Sequence, residues 1–304
     1  MRIGVIKLGA LGDVVLAFQP FADIRAHHPG AEITLLTTAP FAGLLAAAPW
    51  FDRVVVDARP RWWDLGGVLA LRRQLRGFDL VYDLQTSGRS SRYFRLAGRP
   101  AWSGIARGAS LPHANPGRNG LHTIERQREQ LAMAGVPPGP AAALGWLTAG
   151  APALPGCYAV LVPGAAPHRP KKRWPAARFG ALAAGLGMGV VVVGTVGERP
   201  LAEEIRAVFP AAIDMTGRTS LMELAGVVAG AALAVGNDTG PMHLAAALGV
   251  PGVVLFGGDS DPALTAPRGG MAVVCVPDLS DLPVARVAAA LPEAHRFQPF
   301  SGQG

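Results

Sequence analysis

Residues 234–248 read Ala-Val-Gly-Asn-Asp-Thr-Gly-Pro-Met-His-Leu-Ala-Ala-Ala-Leu, and this stretch decides the fold. It predicts the end of a buried strand, a polar turn and the first turns of a helix. Thr239 suits the N-cap, and Pro241 suits the first helical turn. Free backbone N–H groups and the positive end of the helix dipole then favour an anion at this turn, above all a phosphate. An ordinary strand-to-helix turn is the alternative on these residues alone.

Short apolar runs alternate with helical patterns throughout the chain, which is typical of parallel sheets flanked by helices. The predicted strands are 2–7, 32–37, 54–56, 80–83, 158–162, 190–194, 211–214, 233–235, 252–256 and 272–275. The predicted helices are 13–26, 42–47, 63–75, 124–134, 176–186, 200–208, 220–229 and 242–248. A Gly/Ala/Pro-rich join at 137–155 separates a domain 1–150 from a domain 151–304. We expect an α/β protein of two Rossmann-like, doubly wound parallel-sheet domains facing a central cleft, with ligands at the carboxyl ends of the strands.

Composition narrows the class of protein. Half of the 304 residues are apolar, enough for two cores, and Gly and Pro are spread as turn punctuation. Two cysteines, Cys157 and Cys275, give neither a disulfide framework nor a metal site, and they fit a reducing cytoplasm. The first residues enter a strand pattern without the layout of a signal peptide. The uncharged stretches 179–197 and 239–258 are broken by Gly or Pro, so we expect a soluble protein.

The positive charge lies in the first half of the chain. Residues 1–150 contain 17 Lys and Arg against 10 Asp and Glu, whereas residues 151–304 contain 11 of each. A basic half indicates an acidic partner, such as a nucleic acid, an anionic lipid or a phosphorylated or carboxylated substrate. A solvated basic face without a partner is the alternative.

The first turn, residues 7–15, reads Lys-Leu-Gly-Ala-Leu-Gly-Asp-Val-Val. Its glycines allow a tight bend after the first strand, but the Gly-x-Gly-x-x-Gly fingerprint of dinucleotide-binding proteins is missing, which argues against a nicotinamide-dependent reductase. Asp13 has two interpretations: it complements the positive end of the next helix, or it acts as a general base.

The second half offers groups for a diphosphate and a sugar. Four basic side chains follow its first strand: Arg169, Lys171, Lys172 and Arg173. Such a cluster could neutralise a diphosphate, or it could form a solvated loop. Glu198, in another strand-to-helix turn, is placed to accept hydrogen bonds from sugar hydroxyls. Ser220 is predicted to cap a helix.

Five motifs, in order, resemble those of the bacterial heptosyltransferases, glycosyltransferase family 9. They span most of the chain, and they lie at 9–15 (Gly-Ala-Leu-Gly-Asp-Val-Val), 83–85 with 89–90 (Asp-Leu-Gln and Arg-Ser), 172–175 (Lys-Arg-Trp-Pro), 216–221 (Thr-Gly followed by Ser-Leu) and 237–244 (Asn-Asp-Thr-Gly-Pro-Met-His-Leu). The resemblance implies the two-domain GT-B fold and transfer of a heptose, with inversion, from an ADP-activated donor to the inner core of lipopolysaccharide.

The resemblance also implies roles for single residues. Asp13 would be the general base that deprotonates the acceptor hydroxyl. The donor and its nucleotide would be bound by Lys172, Glu198, Met215, Thr216, Gly217, Asp238, Thr239, Gly240 and His243. Among these, Lys172 would contact the phosphate or sugar, Glu198 the ribose, residues 215–217 the adenosine, and Thr239 and Gly240 the diphosphate. The acceptor would be bound by Gly12, Gln85, Arg89 and Arg92.

We therefore predict a cytoplasmic inverting glycosyltransferase that uses a nucleotide-diphosphate sugar, ADP-heptose, and an anionic lipid-linked saccharide. We expect no cofactor, no metal and no nucleic-acid partner, and we expect peripheral contact with the inner face of the inner membrane. Two alternatives stay open. One is an enzyme of the same fold that uses another nucleotide sugar or another acceptor, and the other is a non-catalytic nucleotide-sugar binding protein. Residues 107–122 match no motif, and we assign them to the surface that selects the acceptor.

Overall fold

A computed structural model describes residues 1–165 and 172–295. The chain divides into two compact units, a first unit Met1–Trp146 and a second unit Leu147–Gly304. No helix in the described part of the chain is long and apolar enough to cross a membrane.

The first unit is a parallel sheet with helices between its strands. The strands are β1 (Arg2–Ile6), β2 (Glu32–Thr37), β3 (Arg53–Val56), β4 (Leu80–Asp83), β5 (Ala101–Gly104) and β6 (Leu111–Pro112). The helices are α1 (Leu11–Val15), α2 (Phe18–His27), α3 (Ala39–Ala46), α4 (Leu65–Leu75), α5 (Gly88–Leu96) and α6 (Thr123–Met133). Beyond their first residues, β1, β2, β4 and β5 are buried, because helices cover both faces of a parallel sheet, whereas β3 and β6, at the two edges, are more exposed.

The second unit repeats this design. Its strands are β7 (Tyr158–Val162), β8 (Gly189–Val192), β9 (Ile213–Asp214), β10 (Leu233–Asn237), β11 (Gly252–Phe256) and β12 (Met271–Cys275). Its helices are α7 (Ala176–Ala184), α8 (Arg199–Val208), α9 (Leu221–Ala229), α10 (Gly240–Ala247), α11 (Pro262–Thr265) and α12 (Val284–Ala289). Every residue of β7, β10 and β11 is buried, which matches their mainly apolar sequences; the exception is the buried polar Asn237 at the end of β10.

The strand order places a possible ligand site in each unit. The sheets are ordered β3-β2-β1-β4-β5-β6 and β12-β11-β10-β7-β8-β9, and all their pairs are parallel. The first strand of each unit therefore neighbours both the second and the fourth, and the winding reverses between the first and the fourth. In an open α/β sheet, ligands bind outside the carboxyl ends of the strands at this switch point. The candidate ligand sites therefore lie at the residues that follow β1 and β4 and at those that follow β7 and β10.

Two features of the first unit differ from the sequence prediction. The helix predicted at 13–26 is two helices, α1 and α2, because Pro20 has no N–H to donate to the carbonyl of Leu16 and a continuous helix would lose that bond. The prediction also missed α5, β5 and β6. A capping box starts α5, since the Ser87 and Ser90 hydroxyls each accept a hydrogen bond from the other residue's backbone N–H.

Two sequence signals in the second unit have clear structural causes. Ser220 caps α9 as predicted, in a capping box with Glu223. Trp174 is fully buried, and its indole N–H donates to the Leu282 carbonyl at 2.8 Å, while its backbone N–H donates to the Asn237 side chain at 3.1 Å. This aromatic anchor ties the segment that carries Lys172 to the end of β10.

Candidate active site

A pocket lies at the switch point of the first unit. It encloses about 220 Å³, and its lining comes from the segments after β1 and β4, from the 3₁₀ turn Arg118–Gly120 and from α6. The lining residues are Lys7, Asp13, Leu84, Gln85, Thr86, Arg118, Asn119, Arg126, Gln127 and Gln130. We call it the Asp13 pocket. Its lining is strongly polar, as a pocket for a hydrophilic ligand requires.

Asp13 reaches this pocket because the chain bends sharply after β1. Gly9 has φ +111°, and any side chain there would collide with the ring of Phe41, so the bend needs glycine. Asp13 is the third residue of α1 and half-buried, and no side chain caps this helix. The carboxylate therefore complements the positive helix end and also faces the pocket. Both interpretations of Asp13 are compatible with this geometry. A general base requires only that the carboxylate faces the pocket.

Three cationic side chains line the pocket against one carboxylate. Lys7 is buried, and its ammonium donates to the Leu84 carbonyl at 3.2 Å. Burial lowers the pKa of Lys7, and the Asp13 carboxylate opposes this shift. The Arg126 guanidinium donates to the Thr123 hydroxyl at 3.2 Å. Burial and the nearby charge of Arg126 lower the pKa of Arg118. These cations are held mainly by neutral oxygen and nitrogen acceptors, so their charge is available to an anion.

The turn after β4 is shaped by Asp83. Its buried Oδ1 accepts hydrogen bonds from the backbone N–H groups of Gln85, at 3.2 Å, and Thr86, at 3.0 Å. Thr86 has φ +44°, a left-handed conformation that these bonds support. Burial raises the pKa of Asp83 to about 6, although the bonds from the turn oppose the shift. The same turn brings Gln85 to the pocket, where its Oε1 accepts from Leu8 N–H at 2.8 Å.

The four residues predicted to bind the acceptor are distributed unequally. Gln85 lines the Asp13 pocket, and Gly12 is buried in α1 beside Asp13. Arg89 and Arg92 are not among the lining residues: their guanidinium carbons both lie 5.3 Å from the centre of the Trp62 ring. The two arginines therefore stack on an indole instead of reaching into the pocket.

The second unit gathers charged side chains at the end of β10. The Asp238 Oδ2 accepts from the Lys172 ammonium at 3.2 Å and from the Ser260 hydroxyl at 2.7 Å. His243 Nε2 lies 3.8 Å from Asp238 Oδ1. Burial would raise the pKa of Asp238, but the nearby His243 imidazole, the hydrogen bond from Ser260 and the charge of Lys172 outweigh it, so the pKa lies below its usual value. We call these four residues, Lys172, Asp238, His243 and Ser260, the Asp238 cluster.

The helix start beside this cluster differs in one detail from the prediction. Thr239 is the N-cap of α10, but its hydroxyl makes no cap and donates instead to the Asn237 carbonyl at 3.1 Å. Pro241 has no N–H, and within the described residues the N–H groups of Thr239 and Gly240 find no acceptor. These two N–H groups at the start of α10 are therefore left for a ligand.

The predicted nucleotide-binding residues form a second group in this unit. The Glu198 Oε2 accepts from the Thr195 N–H at 2.6 Å and from its hydroxyl at 3.1 Å, so the carboxylate is partly committed to a capping box. Its other oxygen lies over Gly164, where any side chain would collide with it. Gly164 in turn accepts from the Asn237 amide at 3.3 Å, which links Glu198 to the end of β10.

Residues 215–217 form a tight turn after β9. The N–H and hydroxyl of the buried Thr216 donate to Asp214 Oδ1 at 2.8 and 2.6 Å. Gly217 has φ +67°, and a Cβ there would lie 2.8 Å from the backbone of Val196, so only glycine fits. Met215, Thr216 and Gly217 are thereby held beside the Glu198 turn.

Part of the predicted basic loop lies outside the described residues, namely Arg169 and Lys171. Of the other two members, Lys172 joins the Asp238 cluster, and Arg173 donates from Nη2 to the Ala165 carbonyl at 2.8 Å. Among residues 1–165 and 172–295, no three His, Cys, Asp or Glu side chains group to hold a metal ion.

Sequence reasoning missed several side chains at both switch points. In the second unit it missed Ser260, which no motif marks. In the first unit it missed the three pocket cations, Lys7, Arg118 and Arg126, and the side-chain amides of α6. The sequence does contain a signal for the side chains of α6. Gln130 lies four residues after Arg126 and three after Gln127, so all three are on one side of a predicted helix.

Comparisons with known proteins identify the family and the fold. The model of glycosyltransferase family 9 (heptosyltransferase) matches residues 68–293. The chain is similar to lipopolysaccharide heptosyltransferase 1 of Pseudomonas aeruginosa, with 30% identity over 296 residues that cover 88% of this chain and 82% of the relative. It is also similar to the Salmonella typhimurium protein of the same name, with 29% identity over 90% of this chain and 94% of the relative. The structure of E. coli heptosyltransferase WaaC with ADP superposes with a TM-score of 0.80 and 25% identity, covering 95% of this chain and 98% of that one.

Proposed function

The chain belongs to glycosyltransferase family 9, the heptosyltransferases, and it has their two-sheet GT-B fold; on this premise we propose that it transfers a heptose, with inversion, from ADP-heptose to an anionic, lipid-linked saccharide of the lipopolysaccharide inner core. The donor and acceptor classes are suggested by the names of the relatives, which include an ADP complex and lipopolysaccharide heptosyltransferases. The observation that carries the proposal is the Asp13 pocket, where one carboxylate faces three cations at a switch point.

We assign the acceptor to the Asp13 pocket. An acidic saccharide supplies the negative charge that Lys7, Arg118 and Arg126 lack, and its hydroxyl groups match the amides of Gln85 and Gln127. A hydroxyl placed beside Asp13 loses its proton to that carboxylate as it attacks the anomeric carbon. In the same step the carbon–oxygen bond to the diphosphate breaks, and ADP leaves with the bonding electrons. A single displacement of this kind inverts the anomeric centre.

We assign the donor to the Asp238 cluster and the adjacent turns. The free N–H groups at Thr239 and Gly240, the positive end of α10 and the Lys172 ammonium would stabilise the leaving diphosphate. The free oxygen of Glu198 would bind the ribose, and residues 215–217 would line the adenosine pocket. Asp238 and His243 would contact the heptose or maintain the shape of the turn.

The first experiment is a thermal-shift series with nucleotide sugars, followed by a turnover assay on heptose-free lipopolysaccharide core. ADP-heptose should raise the melting temperature more than UDP- or GDP-sugars do, and ADP should be released in step with the glycosylated product. Stabilisation by a different nucleotide sugar would contradict the donor assignment. Binding of ADP-heptose without transfer to any acceptor would favour a non-catalytic binding protein.

We also propose that the first unit contacts an anionic membrane surface through one edge. Trp63, Leu65 and Leu69 are exposed by 75%, 74% and 51%, and the two leucines are one turn apart on α4. Exposed arginines follow on the same helix, Arg72 and Arg73. Apolar side chains beside arginines suit an interface with anionic lipid, where the side chains bury apolar area and the charges meet headgroups.

Vesicle sedimentation tests this surface without any substrate. The protein should sediment with vesicles containing phosphatidylglycerol and much less with pure phosphatidylcholine. Replacing Trp63, Leu65 and Leu69 together by serine should abolish that difference, whereas Met133→Ser, at an exposed apolar residue of α6, should preserve it. Equal sedimentation of the triple variant, or self-association lost in that variant, would contradict a membrane-binding role.

A further inference from the structure

The segment between β6 and α6 contains a buried histidine that the proposed mechanism does not use. The side chain of His113 is completely buried, and its Nε2 lies 2.7 Å from Glu129 Oε2. Glu129, on α6, also accepts from the Asn115 amide, at 2.9 Å on each oxygen. Hydrogen bonds from His113 and Asn115 hold the pKa of Glu129 below its usual value. The carboxylate therefore stays charged and fixes the orientation of the imidazole.

The other nitrogen of this imidazole contacts the pocket. Arg118 Nε donates to His113 Nδ1 at 3.2 Å. Since the guanidinium Nε always carries hydrogen, Nδ1 must accept and the ring proton must be on Nε2, where it is donated to Glu129. The hydrogen-bond network thus requires one neutral tautomer of His113. The proton on Nδ1 of the other tautomer, or of the imidazolium, would face the N–H of Arg118.

Two further bonds complete the position of the guanidinium. Arg118 Nη2 donates to the Thr86 hydroxyl at 2.9 Å, and Nη1 donates to the Asn119 side chain at 3.1 Å. Thr86 is itself held by Asp83. These bonds use one N–H on each nitrogen of Arg118, and within the described residues the second N–H of each terminal nitrogen is uncommitted. The side chain lines the Asp13 pocket, so these two N–H groups form a fixed pair of donors there.

We propose that His113, oriented by Glu129, is a positioning residue that fixes Arg118 as the bidentate ligand of a carboxylate or phosphate on the acceptor. The identity of that ligand rests on the proposed function, whereas the positioning itself does not. Without His113, the guanidinium of Arg118 would keep its charge but lose the acceptor for its Nε–H. The side chain would then be more mobile, and binding the acceptor would cost more conformational entropy. His113 therefore acts on acceptor affinity and not on the chemical step.

Two substitutions separate the two nitrogens of the ring. The Oδ1 of His113→Asn replaces Nδ1 and can still accept from Arg118. The Nε2 of His113→Gln replaces the ring Nε2 and can still donate to Glu129, but it leaves Arg118 without its acceptor. His113→Gln should raise the KM for the acceptor about tenfold, with kcat and the KM for ADP-heptose unchanged. His113→Asn should restore most of the acceptor KM.

A double-mutant cycle shows whether His113 acts through Arg118. In an Arg118→Ala background, His113→Gln should have no further effect on the acceptor KM, because the group it positions is gone. The same rise in both backgrounds, or an Asn variant as weak as the Gln variant, would overturn the proposal. So would an unchanged KM in His113→Gln.

Long-range ¹H–¹⁵N correlation NMR of the wild-type protein tests the positioning without variants or turnover. We expect His113 to be neutral, with its proton on Nε2, and we expect a slowly exchanging Arg118 Nε–H. A proton on Nδ1, or a charged ring at neutral pH, would refute the positioning network whatever the enzyme's substrate. If the wild-type protein transfers no sugar, the proposed function is wrong. The positioning of Arg118 by His113 is still tested by the NMR experiment and by calorimetric binding of deacylated heptose-free core to the His113→Gln and His113→Asn variants.

Discussion

The two units share one strand order but treat charge at their switch points in opposite ways. In the first unit, Lys7 and Arg126 donate to a carbonyl and a hydroxyl, so their positive charge is not neutralised by their partners. In the second unit, Lys172 already forms an ion pair with Asp238. In the described part of this second site, the N–H groups of Thr239 and Gly240 lack a hydrogen-bond acceptor.

Because of this difference, the two sites suit different kinds of ligand. A site whose lining has more cations than carboxylates selects by net charge, so it suits a ligand whose acidic groups are its main feature. A site with a compensated cation and a helix start selects by shape, because a diphosphate must fit the N–H groups and share the lysine with a carboxylate. The first unit also has the half-buried Asp13 at its switch point, which the second unit matches only with the ion-paired Asp238.

The largest expected effect is at Asp13. Because a sugar hydroxyl is a weak nucleophile, Asp13→Asn should lower kcat by about 10² to 10⁴-fold, the usual contribution of a general base. The amide keeps an oxygen at the start of α1, so ADP affinity and melting temperature should remain near those of the wild type. Steady-state kinetics and calorimetry measure both quantities.

Asp64→Asn is the matched control for this prediction, since it removes a carboxylate of the same unit that only caps α4. Retained turnover in Asp13→Asn would place the base elsewhere. Early melting or lost ADP binding would show that Asp13 serves the helix end instead.

The next effect concerns the stability cost of the charged first site. Burial raises the pKa of Asp83 from 3.8 to about 6, so the native protein binds this proton more tightly than the unfolded chain does. The free energy of unfolding therefore falls as pH rises from about 4 to about 6, by up to about 3 kcal/mol. Asp83→Asn keeps the acceptor for Gln85 and Thr86 but has no charge to bury, so it should be more stable than the wild type at pH 8 and lose this pH dependence.

Urea unfolding at a series of pH values measures this effect. Asp52→Asn supplies a control of opposite sign, because the Ile33 N–H and Arg25 lower the pKa of Asp52 and its charge stabilises the native state at neutral pH. An Asp83→Asn variant that is less stable than the wild type at pH 8 would mean that the charged form is favoured in the native turn.

How far the sequence could predict these sites depends on how local their signals are. Strands β2, β4, β7 and β11 were predicted to the residue, because buried parallel strands leave uninterrupted apolar runs. The turn at Asp238 was predicted because it follows such a run, at the end of β10. Helix α5 was missed because its cap consists of two serines without a strong apolar stripe behind them.

The Asp13 pocket could be predicted only in part. Residues 9–13 and 84–85 follow strands and lie within the motifs at 9–15 and 83–85. Arg118 gives no such signal, because it reaches the pocket through contacts with His113 and Thr86, which are 5 and 32 residues away in sequence. Arg89 was expected to bind the acceptor because of its motif, yet it stacks on Trp62, and only the packing of α5 determines that.

A smaller effect should appear at the second site. Lys172→Ala should weaken ADP binding by roughly 1.5–3 kcal/mol, the size of a charge-assisted hydrogen bond. The loss also leaves Asp238 without its cation, which repels the diphosphate further. Calorimetric titration with ADP measures the change, and Arg206→Ala, an exposed cation on α8, is the control. Equal ADP affinity in wild type and Lys172→Ala would remove this lysine from the donor site.

The smallest effect is a difference in salt sensitivity. Raising ionic strength from about 0.01 M to about 1 M shortens the Debye length from about 30 Å to about 3 Å. Acceptor affinity should fall over this range, because the Asp13 pocket acts through net charge, and ADP affinity should fall less. Parallel titrations with the two ligands test this, and equal slopes would mean that the two sites do not differ in the way proposed.

We expect each switch point to bind its own ligand. Hydrogen–deuterium exchange of the wild-type protein tests it directly, with ADP and deacylated heptose-free lipopolysaccharide core added separately. ADP should slow exchange at residues 194–198 and 237–243, and the core saccharide should slow exchange at residues 7–13, 84–86 and 118–130. Protection by ADP in the first unit, or by the saccharide in the second unit alone, would contradict the account.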